Sequence, residues 1–218
     1  MLNDGVLWDM DGVLVDTGEL HLQSWAETLK EYGFEFDRKF FVSTFGMNNA
    51  SILTLVFGKK PEPALLAEIG DKKEAWFRKA IKGKAQPMAG VVAWLEQLKN
   101  WGFHQAVASS APMANVLAVI NELRLGPYFD TMVSASAMPG KPDPAVFLES
   151  ARRIGVEPSR CVVIEDAIPG VQAAKSAGMK CIAVLTTNPA SALSTADVIT
   201  ERLDLLPVET VRQLLNPK

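Results

Sequence analysis

Residues 6–17 read Val-Leu-Trp-Asp-Met-Asp-Gly-Val-Leu-Val-Asp-Thr, and the rest of the chain is interpreted from this stretch. Three apolar residues lead directly into two carboxylates, Asp9 and Asp11, and Gly12 follows. The pattern predicts a buried strand that ends at the two acids, with a glycine where the backbone turns tightly or lets a ligand approach. Because side chains of a strand alternate between faces, we expect Asp9 and Asp11 on the same side. Two neighbouring carboxylates need a cation or a shared proton, and their oxygens suit Mg²⁺.

Two other interpretations of Asp-x-Asp-Gly are open at this point. The acids could simply cap and solvate a turn at the end of a strand. They could also begin a calcium-binding loop, but the Asp-x-Asp-x-Asp-Gly spacing with a later glutamate is absent here. The motifs further along the chain decide between these interpretations.

The composition predicts one globular domain, or one domain that carries an insertion. The chain has 218 residues, of which 48% are hydrophobic and 22% are charged, with a formal net charge of −3. This length is enough to bury a sizeable core. The mildly acidic balance and the lack of a basic run argue against nucleic acid as a partner. No apolar run approaches about 18 residues, so no membrane span is expected.

The N-terminus and the cysteines predict a cytoplasmic protein. Acidic residues stand where a signal peptide would need a basic start and an apolar segment. Cys161 and Cys181 each begin an apolar, strand-like run. A disulfide or a metal pair is an alternative, but we expect two buried reduced thiols, as is usual in a cytosolic chain. Two histidines, His21 and His104, are too few and too far apart for a histidine metal site.

The chain after the first strand divides into a helical block and an alternating block. Residues 18–33, 48–57 and 63–82 are predicted to be helical, and Pro87 and Gly90 mark a boundary. Beyond it, strands are predicted at 104–109, 131–135, 161–165, 181–185 and 198–199. Helices are predicted at 90–101, 112–124, 143–154, 169–177 and 208–215.

Short apolar strands alternating with amphipathic helices predict a doubly wound, Rossmann-like α/β fold with a parallel sheet. The helical block then forms a small cap inserted after the first strand. We expect a catalytic core of residues 1–16 and 88–218 and a cap domain of residues 17–87.

Polar residues recur where the predicted strands end. In a doubly wound fold, ligands bind at the carboxyl ends of the strands. Each feature alone has an ordinary explanation in turn chemistry, a solvated lysine or a helix N-terminus. The fold would bring all four together in one crevice. The four features are Asp9-Met10-Asp11, Ser109-Ser110, Gly140-Lys141-Pro142 and Glu165-Asp166.

With these four motifs in this order, and with Gly170 following Ala167, the sequence resembles the haloacid dehalogenase-like superfamily over essentially its whole length. The resemblance is to the branch of small-capped sugar-phosphate phosphatases and β-phosphoglucomutases. It implies that Asp9 attacks phosphorus to form an aspartyl phosphate, and that Asp11 is the general acid and base.

The resemblance also implies the metal and phosphate ligands. Mg²⁺ would be held by Asp9, the backbone carbonyl of Asp11, and Asp166, with Glu165 helping directly or through water. The phosphate would be bound by Ser109, the backbone amide of Ser110, and Lys141. In dehalogenase relatives the same aspartate attacks a carbon atom instead of phosphorus. A halide leaving group needs no proton, so a general acid at Asp11 favours phosphoryl chemistry.

Three cap residues have competing interpretations. Thr17 could bind the substrate or cap the following helix, and we expect capping. His21 matches a cap-hinge histidine of the mutase-like branch and is a candidate substrate-binding residue. Trp25 lies one helical turn further on and is expected to pack in the cap core.

One departure from the β-phosphoglucomutase pattern favours a phosphatase. Mutases of this type carry a lysine and an arginine near residues 44–49, where this chain has Phe45 and Asn49. Neither replaces a cationic clamp for a second phosphate. Other basic side chains could substitute, but we expect them to form a solvated surface: Lys59, Lys60, Lys72, Lys73 and Arg78.

The sequence therefore predicts a monomeric, Mg²⁺-dependent phosphatase of a small phosphorylated metabolite, most simply a sugar phosphate. The first alternative is a phosphosugar mutase. The second is a non-catalytic protein that binds a phosphorylated metabolite, which the complete set Asp9, Asp11, Lys141 and Asp166 disfavours.

Overall fold

A sheet of six parallel strands forms the centre of the computed structural model, which describes residues 3–216. The spatial order is β3-β2-β1-β4-β5-β6. The predicted doubly wound α/β class is confirmed, although residues 1–2 and 217–218 of the predicted core lie outside the described residues. The strands are β1 (Gly5–Trp8), β2 (His104–Ser109), β3 (Thr131–Ser134), β4 (Cys161–Glu165), β5 (Lys180–Val184) and β6 (Val198–Thr200).

Helices cover both faces of the sheet and fill the stretch between β1 and β2. Among the described residues, none of these helices is both long and apolar enough to cross a membrane. The helices are α1 (Gly18–Lys30), α2 (Arg38–Thr44), α3 (Asn49–Phe57), α4 (Pro63–Ala80), α5 (Val91–Asn100), α6 (Met113–Leu123), α7 (Ala145–Ile154), α8 (Ile168–Ser176) and α9 (Thr210–Leu215).

Local capping residues set the ends of α3 and the start of α4, whose predicted ranges of 48–57 and 63–82 match the structure within about two residues. The Asn48 side chain accepts a 2.9 Å hydrogen bond from the Ser51 amide and so caps α3. Gly58 ends α3 in the left-handed region, with φ of 68°. Pro63 is the first residue of α4, where its missing N–H costs no intrahelical bond.

Helix α2 is the one element of the helical block that the sequence analysis did not predict. Asp37 caps it by accepting a 2.7 Å hydrogen bond from the Phe40 amide. The helix has seven residues, only two turns, which is too short to show a helical repeat of apolar positions.

The sheet is buried on both faces, as a parallel sheet requires. Val6 and Trp8 of β1 belong to one apolar cluster, together with side chains of α5 and α6. Leu7 points to the other face and belongs to a second cluster, with side chains of α7 and α8. All three residues are fully buried. This alternation fixes the position of Asp9 at the end of β1.

Helices α1–α4, called the helical segment from here on, have an apolar cluster of their own. It includes Trp25 and Leu29 of α1 and Ile69 of α4, so the predicted core packing of Trp25 is confirmed. The connections into and out of the segment run side by side. The Met88 amide donates to the Leu14 carbonyl at 3.0 Å, next to a bridge between residues 15 and 87.

Both cysteines are buried free thiols, as predicted. Burial raises the pKa of Cys161 to about 12, with smaller contributions from Asp4 and Glu157. Burial also raises the pKa of Cys181. Neither thiol is therefore ionised near neutral pH, and both behave as small apolar side chains of the core.

Candidate active site

The carboxyl ends of β1, β2 and β4 lie side by side at one edge of the sheet. Trp8 of β1 pairs with Val107 of β2 and with Ile164 of β4. From β1 the chain adds β2 and β3 on one side and β4 to β6 on the other, so the strand order reverses between β1 and β4. Ligands of open α/β sheets bind at this point. Asp9 and Glu165 are located there.

Lys141 connects the acids of β1 and β4 in the protein interior. Its Nζ donates a 2.5 Å hydrogen bond to Asp9 Oδ1 and another of 2.5 Å to Glu165 Oε1. All three residues are buried. Burial alone lowers the pKa of a lysine, but Asp9 and Glu165 outweigh it and raise the pKa of Lys141. Lys141 is therefore a fixed cation beside Asp9.

Asp9 itself lies in an environment that disfavours its charge. Burial raises the pKa of Asp9 to about 8, because the attraction of Lys141 does not compensate for desolvation and for repulsion by Glu165. Burial, together with Glu165 and Asp9, also raises the pKa of Asp166 well above its usual range. The site thus has more negative charge than its one lysine balances.

The acidic cluster of Asp9, Glu165 and Asp166 fits a metal ion. One carboxylate oxygen of each residue lies within 4.8 Å of the other two. Asp166 Oδ1 is buried and has no hydrogen-bond partner within residues 3–216. A divalent cation that prefers oxygen ligands, such as Mg²⁺, would supply both the missing partner and the missing charge. Three of the four predicted metal-site residues are therefore brought together, while ligation by the Asp11 carbonyl stays a prediction.

Two glycines of the predicted motifs allow the acids to approach the backbone closely. Gly12 has φ of 89°, and a Cβ there would lie 2.0 Å from Asp166 Oδ2. A Cβ on Gly170 would lie 1.7 Å from Glu165 Oε1. At both positions any side chain would therefore displace an acid of the cluster.

Asp11 lines the pocket next to Asp9 and contacts the start of α1. Its Oδ1 accepts a 2.5 Å hydrogen bond from the Thr17 hydroxyl and lies 3.2 Å from His21 Nε2. Burial would raise the pKa of Asp11, but the charge and hydrogen bond of His21, with the Thr17 bond, hold it below its usual value. The surroundings of Asp9 and Asp11 thus shift the pKa values of the two carboxyl groups in opposite directions.

The expected capping role of Thr17 is wrong. Thr17 stands at the N-cap position of α1, but its side chain makes no capping hydrogen bond. The residue is fully buried and its hydroxyl donates to Asp11 instead. The Thr17 hydroxyl is oriented by the Asp11 carboxylate, because a hydrogen bond to an ionised acceptor is charge-assisted and stronger than a bond from a neutral helix amide. Thr17 therefore orients Asp11, and burial keeps it from the pocket surface.

His21 bridges Asp11 to a buried lysine. His21 Nδ1 lies 2.8 Å from Lys73 Nζ, and the imidazole stacks on Phe77 with centroids 4.1 Å apart. Since an ionised carboxylate can only accept, Nε2 carries the hydrogen that points to Asp11. The hydrogen-bond partner, rather than an observed hydrogen, places this hydrogen on Nε2. His21 thus faces Asp11 and not the solvent.

The prediction that Lys73 belongs to a solvated basic surface is wrong. Lys73 is only 2% exposed, and its Nζ also donates a 2.9 Å hydrogen bond to Glu74 Oε1. Both residues lie between Ile69 and Phe77 on the buried stripe of α4. The three- and four-residue spacing from these apolar neighbours is the sequence signal that could have identified them. Lys72, Lys59 and Lys60 are exposed, as expected.

Ser109 and Ser110 follow one another at the end of β2, and both line the pocket. Ser109 is buried and its Oγ accepts a 3.1 Å hydrogen bond from the Ala111 amide. None of the described residues accepts the Ser109 hydroxyl hydrogen, which leaves it available to an anion. The Ser110 hydroxyl donates to the Gly46 carbonyl at 2.7 Å and so ties the helical segment to the sheet.

The pocket lies between the sheet edge and the helical segment. Asp9, Asp11 and the two serines form its floor. Its remaining wall is partly apolar and partly polar. The apolar part includes Ala111, Trp25, Phe41, Phe45, Met47 and Ile52, and the polar part includes His21, Thr44, Gly46, Asn49, Lys73 and Glu74.

A doubly wound sheet with a lysine-bound aspartate and an acidic cluster at its switch point defines a class of hydrolases. Residues 6–184 match the family model described as haloacid dehalogenase-like hydrolase. The chain belongs to this family, and the resemblance inferred from the four motifs is confirmed.

Individual relatives include enzymes of two kinds. The chain is 33% identical over 186 residues to fructose-1-phosphate phosphatase YqaB of Escherichia coli, covering 83% of this chain and 95% of that protein. It is 38% identical over 84% of its length to Protein SUPPRESSOR OF QUENCHING 1, chloroplastic, of Arabidopsis thaliana, but it spans only 18% of that protein. The crystal structure of β-phosphoglucomutase from Clostridium difficile superimposes with a TM-score of 0.89, at 25% identity, covering 99% of this chain and 98% of the other.

Proposed function

We propose that the protein is a Mg²⁺-dependent phosphatase that hydrolyses a small sugar phosphate through an aspartyl phosphate on Asp9. The observation that carries the proposal is the arrangement of Asp9, with Lys141 on its Oδ1 and Asp11 two residues away on the pocket floor. The similarity to a fructose-1-phosphate phosphatase supports the substrate class.

In the first half-reaction, an Asp9 carboxylate oxygen forms a bond to the substrate phosphorus as the bond to the leaving sugar oxygen breaks. Asp11 gives a proton to this oxygen, which leaves as a neutral hydroxyl. The negative charge of the bound phosphate opposes the attraction of His21 and raises the proton affinity of Asp11 when it is needed.

In the second half-reaction, water attacks the phosphorus of the aspartyl phosphate. Asp11, now ionised, accepts a proton from the water, and the Asp9 carboxylate leaves with the bonding electron pair. Inorganic phosphate is released and both aspartates return to their starting states. The alternating role of Asp11 requires a group that can hold a proton in one state and release it in the other.

Lys141 and the two serines would neutralise the phosphoryl oxygens. Lys141 does not line the pocket itself but holds its positive charge directly behind Asp9, while the Ser109 hydroxyl and the Ser110 amide would donate hydrogen bonds from the floor. Asp9, Asp166 and the Asp11 carbonyl would hold Mg²⁺, with Glu165 directly or through water. When bound, the ion supplies charge neutralisation for the transferring group and fixes Asp9 next to it.

Glu165 has a second task in this proposal. Its Oε1 accepts from Lys141, and its Oε2 accepts from the backbone amides of Asp166 and Ala167 at 2.7 and 2.8 Å. Both oxygens thus have protein donors. Glu165 therefore positions Lys141 and the following turn in addition to helping the metal.

A phosphosugar mutase is the second candidate, and the structural similarity to a β-phosphoglucomutase favours it. A mutase must hold a bisphosphate intermediate by both ends. Phe45 and Asn49 line the pocket where the expected clamp would lie, and the charge of Lys73 is balanced by Glu74 at 2.9 Å. These side chains leave a strong anion site only at the Asp9 end, which favours the phosphatase.

The helical segment would act as a cap domain, with residues 17–87 inserted into a core of residues 1–16 and 88–218. Adjacent connections at Leu14 and Met88 support this division. A monomer in the cytoplasm, with a small metabolite and neither nucleic acid nor membrane as its partner, completes the proposal.

The test is release of inorganic phosphate from a panel of sugar mono- and bisphosphates, with Mg²⁺ and with EDTA. We expect metal-dependent release that Asp9→Asn abolishes. Asp16→Asn is the matched control, because Asp16 is an exposed carboxylate of the same stretch. If no phosphate appears but β-glucose 1-phosphate is converted to glucose 6-phosphate, the protein is the mutase.

A further inference from the structure

A carboxylate lies in the part of the pocket that would receive the leaving group. Asp11, the proposed acid, contacts His21, His21 contacts Lys73, and Lys73 Nζ donates to Glu74 Oε1 at 2.9 Å. This chain of contacts connects Asp11 to Glu74 of α4. Glu74 and Asn49 line the same pocket as Asp11, so a leaving group that Asp11 protonates has this wall within the pocket to contact.

Glu74 is held in place as an anion. It is only 3% exposed and accepts from Lys73, from Asn49 Nδ2 at 2.9 Å, and from Asn115 Nδ2 of the core helix α6. Arg78 donates in turn to Asn115 Oδ1 at 2.8 Å. Burial would raise the pKa of Glu74, but Lys73 and His21 outweigh it and hold the pKa below its usual value.

The wall has no surplus positive charge. Among the described residues that line the pocket, Lys73 is the one lysine or arginine, and Glu74 balances its charge. The adjoining cavity shares Asn49 and Glu74 with this pocket and adds one cation, Arg78, and one further acid, Asp71, so the charges cancel there as well. A second phosphate or a carboxylate at this end of a substrate would face a buried anion, and this repulsion is strong because the site is desolvated.

The same wall can bind hydroxyl groups. An ionised carboxylate has about four acceptor positions, and three protein donors contact Glu74, so one position is left for a substrate O–H. Asn49 donates through Nδ2 to Glu74, which leaves its carbonyl oxygen as a further acceptor. Trp25, Phe41 and Phe45 provide the apolar surface on which the carbon face of a sugar packs.

We propose that Glu74 and Asn49 select phosphomonoesters of uncharged polyols and sugars, and that Glu74 excludes substrates with a second anionic group. The inference rests on the proposed function, since it specifies the leaving group of the same reaction. Neither residue acts on the phosphate itself.

The test compares two substrates that differ only in the distal anion, fructose 1-phosphate and fructose 1,6-bisphosphate. We expect the wild type to favour the monophosphate by about 100-fold in kcat/KM, and Glu74→Gln to reduce this ratio by about 10-fold or more. Glu68→Gln is the matched control, because it removes the same charge from the exposed face of the same helix and should leave the ratio unchanged.

Two further variants keep the test decisive. If Glu74→Gln does not fold, Asn49→Lys adds a cation at the half-buried edge of the wall and should shift the ratio in the same direction. Asp9→Asn, which should bind without turnover, allows the selectivity to be measured by calorimetric titration with both sugars.

The outcomes separate the two proposals. Phosphate release with equal preference for both sugars, unchanged by Glu74→Gln or Asn49→Lys, overturns the inference and leaves the phosphatase intact. Absence of phosphate release, with the monophosphate still bound preferentially by Asp9→Asn, overturns the proposed function and keeps the selectivity of the wall.

Discussion

Asp9 and Asp11 are two residues apart, yet their surroundings shift their proton affinities in opposite directions. Burial raises the pKa of Asp9 to about 8, whereas His21 and Thr17 hold the pKa of Asp11 below its usual value. These shifts are the reverse of what the first half-reaction needs, because a nucleophile reacts in its ionised form and a general acid in its protonated form. A cation held by the acidic cluster would lower the pKa of Asp9, and the phosphate of a bound substrate would raise the pKa of Asp11. In the proposed mechanism the two carboxylates therefore take their roles, Asp9 as nucleophile and Asp11 as acid and base, once metal and substrate are bound.

His21→Gln tests the role of this histidine. Glutamine keeps a donor and an acceptor but cannot carry positive charge, so the pKa of Asp11 should rise toward its usual value. The limb of the kcat/KM pH profile that Asp11 controls should then move to higher pH, by about one unit or more. The direction is the same whether Asp11 acts as an acid or as a base, because a higher pKa moves the limb of the pH profile that it controls to higher pH.

The matched control is His104→Gln, since His104 is the other histidine of the chain and pairs with Asp130 at the surface. It should leave the profile unchanged. A limb that does not move in His21→Gln, or that moves to lower pH, would show that His21 does not set the proton affinity of Asp11.

At the scale of elements, the loop after β5 supports the acidic cluster from outside. The Thr187 hydroxyl donates to Asp166 Oδ2, and Asn188 Nδ2 donates to the Asp166 carbonyl at 3.1 Å. Asp166 Oδ1 is the oxygen without a partner among residues 3–216. One oxygen of Asp166 is therefore fixed by the loop while the other is available to a cation. The sequence motifs gave no indication of Thr187, because it lies beyond the last of them.

Thr187→Val should weaken Mg²⁺ binding by about 10–100-fold, since residues that orient a metal ligand contribute this much to metal affinity. Calorimetric titration with Mg²⁺ alone measures this without turnover. Thr186→Val is the matched control, because the neighbouring hydroxyl is buried with no partner in the described part of the chain. Equal Mg²⁺ affinity in the two variants would show that Thr187 does not orient Asp166 for metal binding.

At the scale of the whole molecule, apolar patterning in the sequence was enough to predict the sheet. Strands such as Cys161–Glu165 begin with an uninterrupted apolar run that is buried on both faces, and the length of this run is visible without a structure. The acids at the strand ends follow from the same pattern, because parallel strands bring their carboxyl ends together. The helix Arg38–Thr44 was missed because a two-turn helix has no detectable repeat.

What the sequence could not show is how charged side chains pair across the pocket. Lys73 was expected on a solvated surface, yet burial between Ile69 and Phe77 directs it to His21, and its neighbour Glu74 contacts Asn115 of a distant helix. Thr17 looks like a helix cap but donates to Asp11. These contacts depend on how α1 and α4 pack over the sheet edge, which no local pattern encodes.

The central claim is that Asp9 is phosphorylated during turnover, and the most direct measurement is to trap this intermediate. The protein is quenched during turnover of a sugar phosphate with Mg²⁺, reduced with borohydride, and digested for mass spectrometry. Borohydride converts an aspartyl phosphate to homoserine, so we expect homoserine at position 9 with substrate and none without it, or in Asp9→Asn. Homoserine at another aspartate, or an unmodified Asp9 while phosphate is being released, would contradict the mechanism.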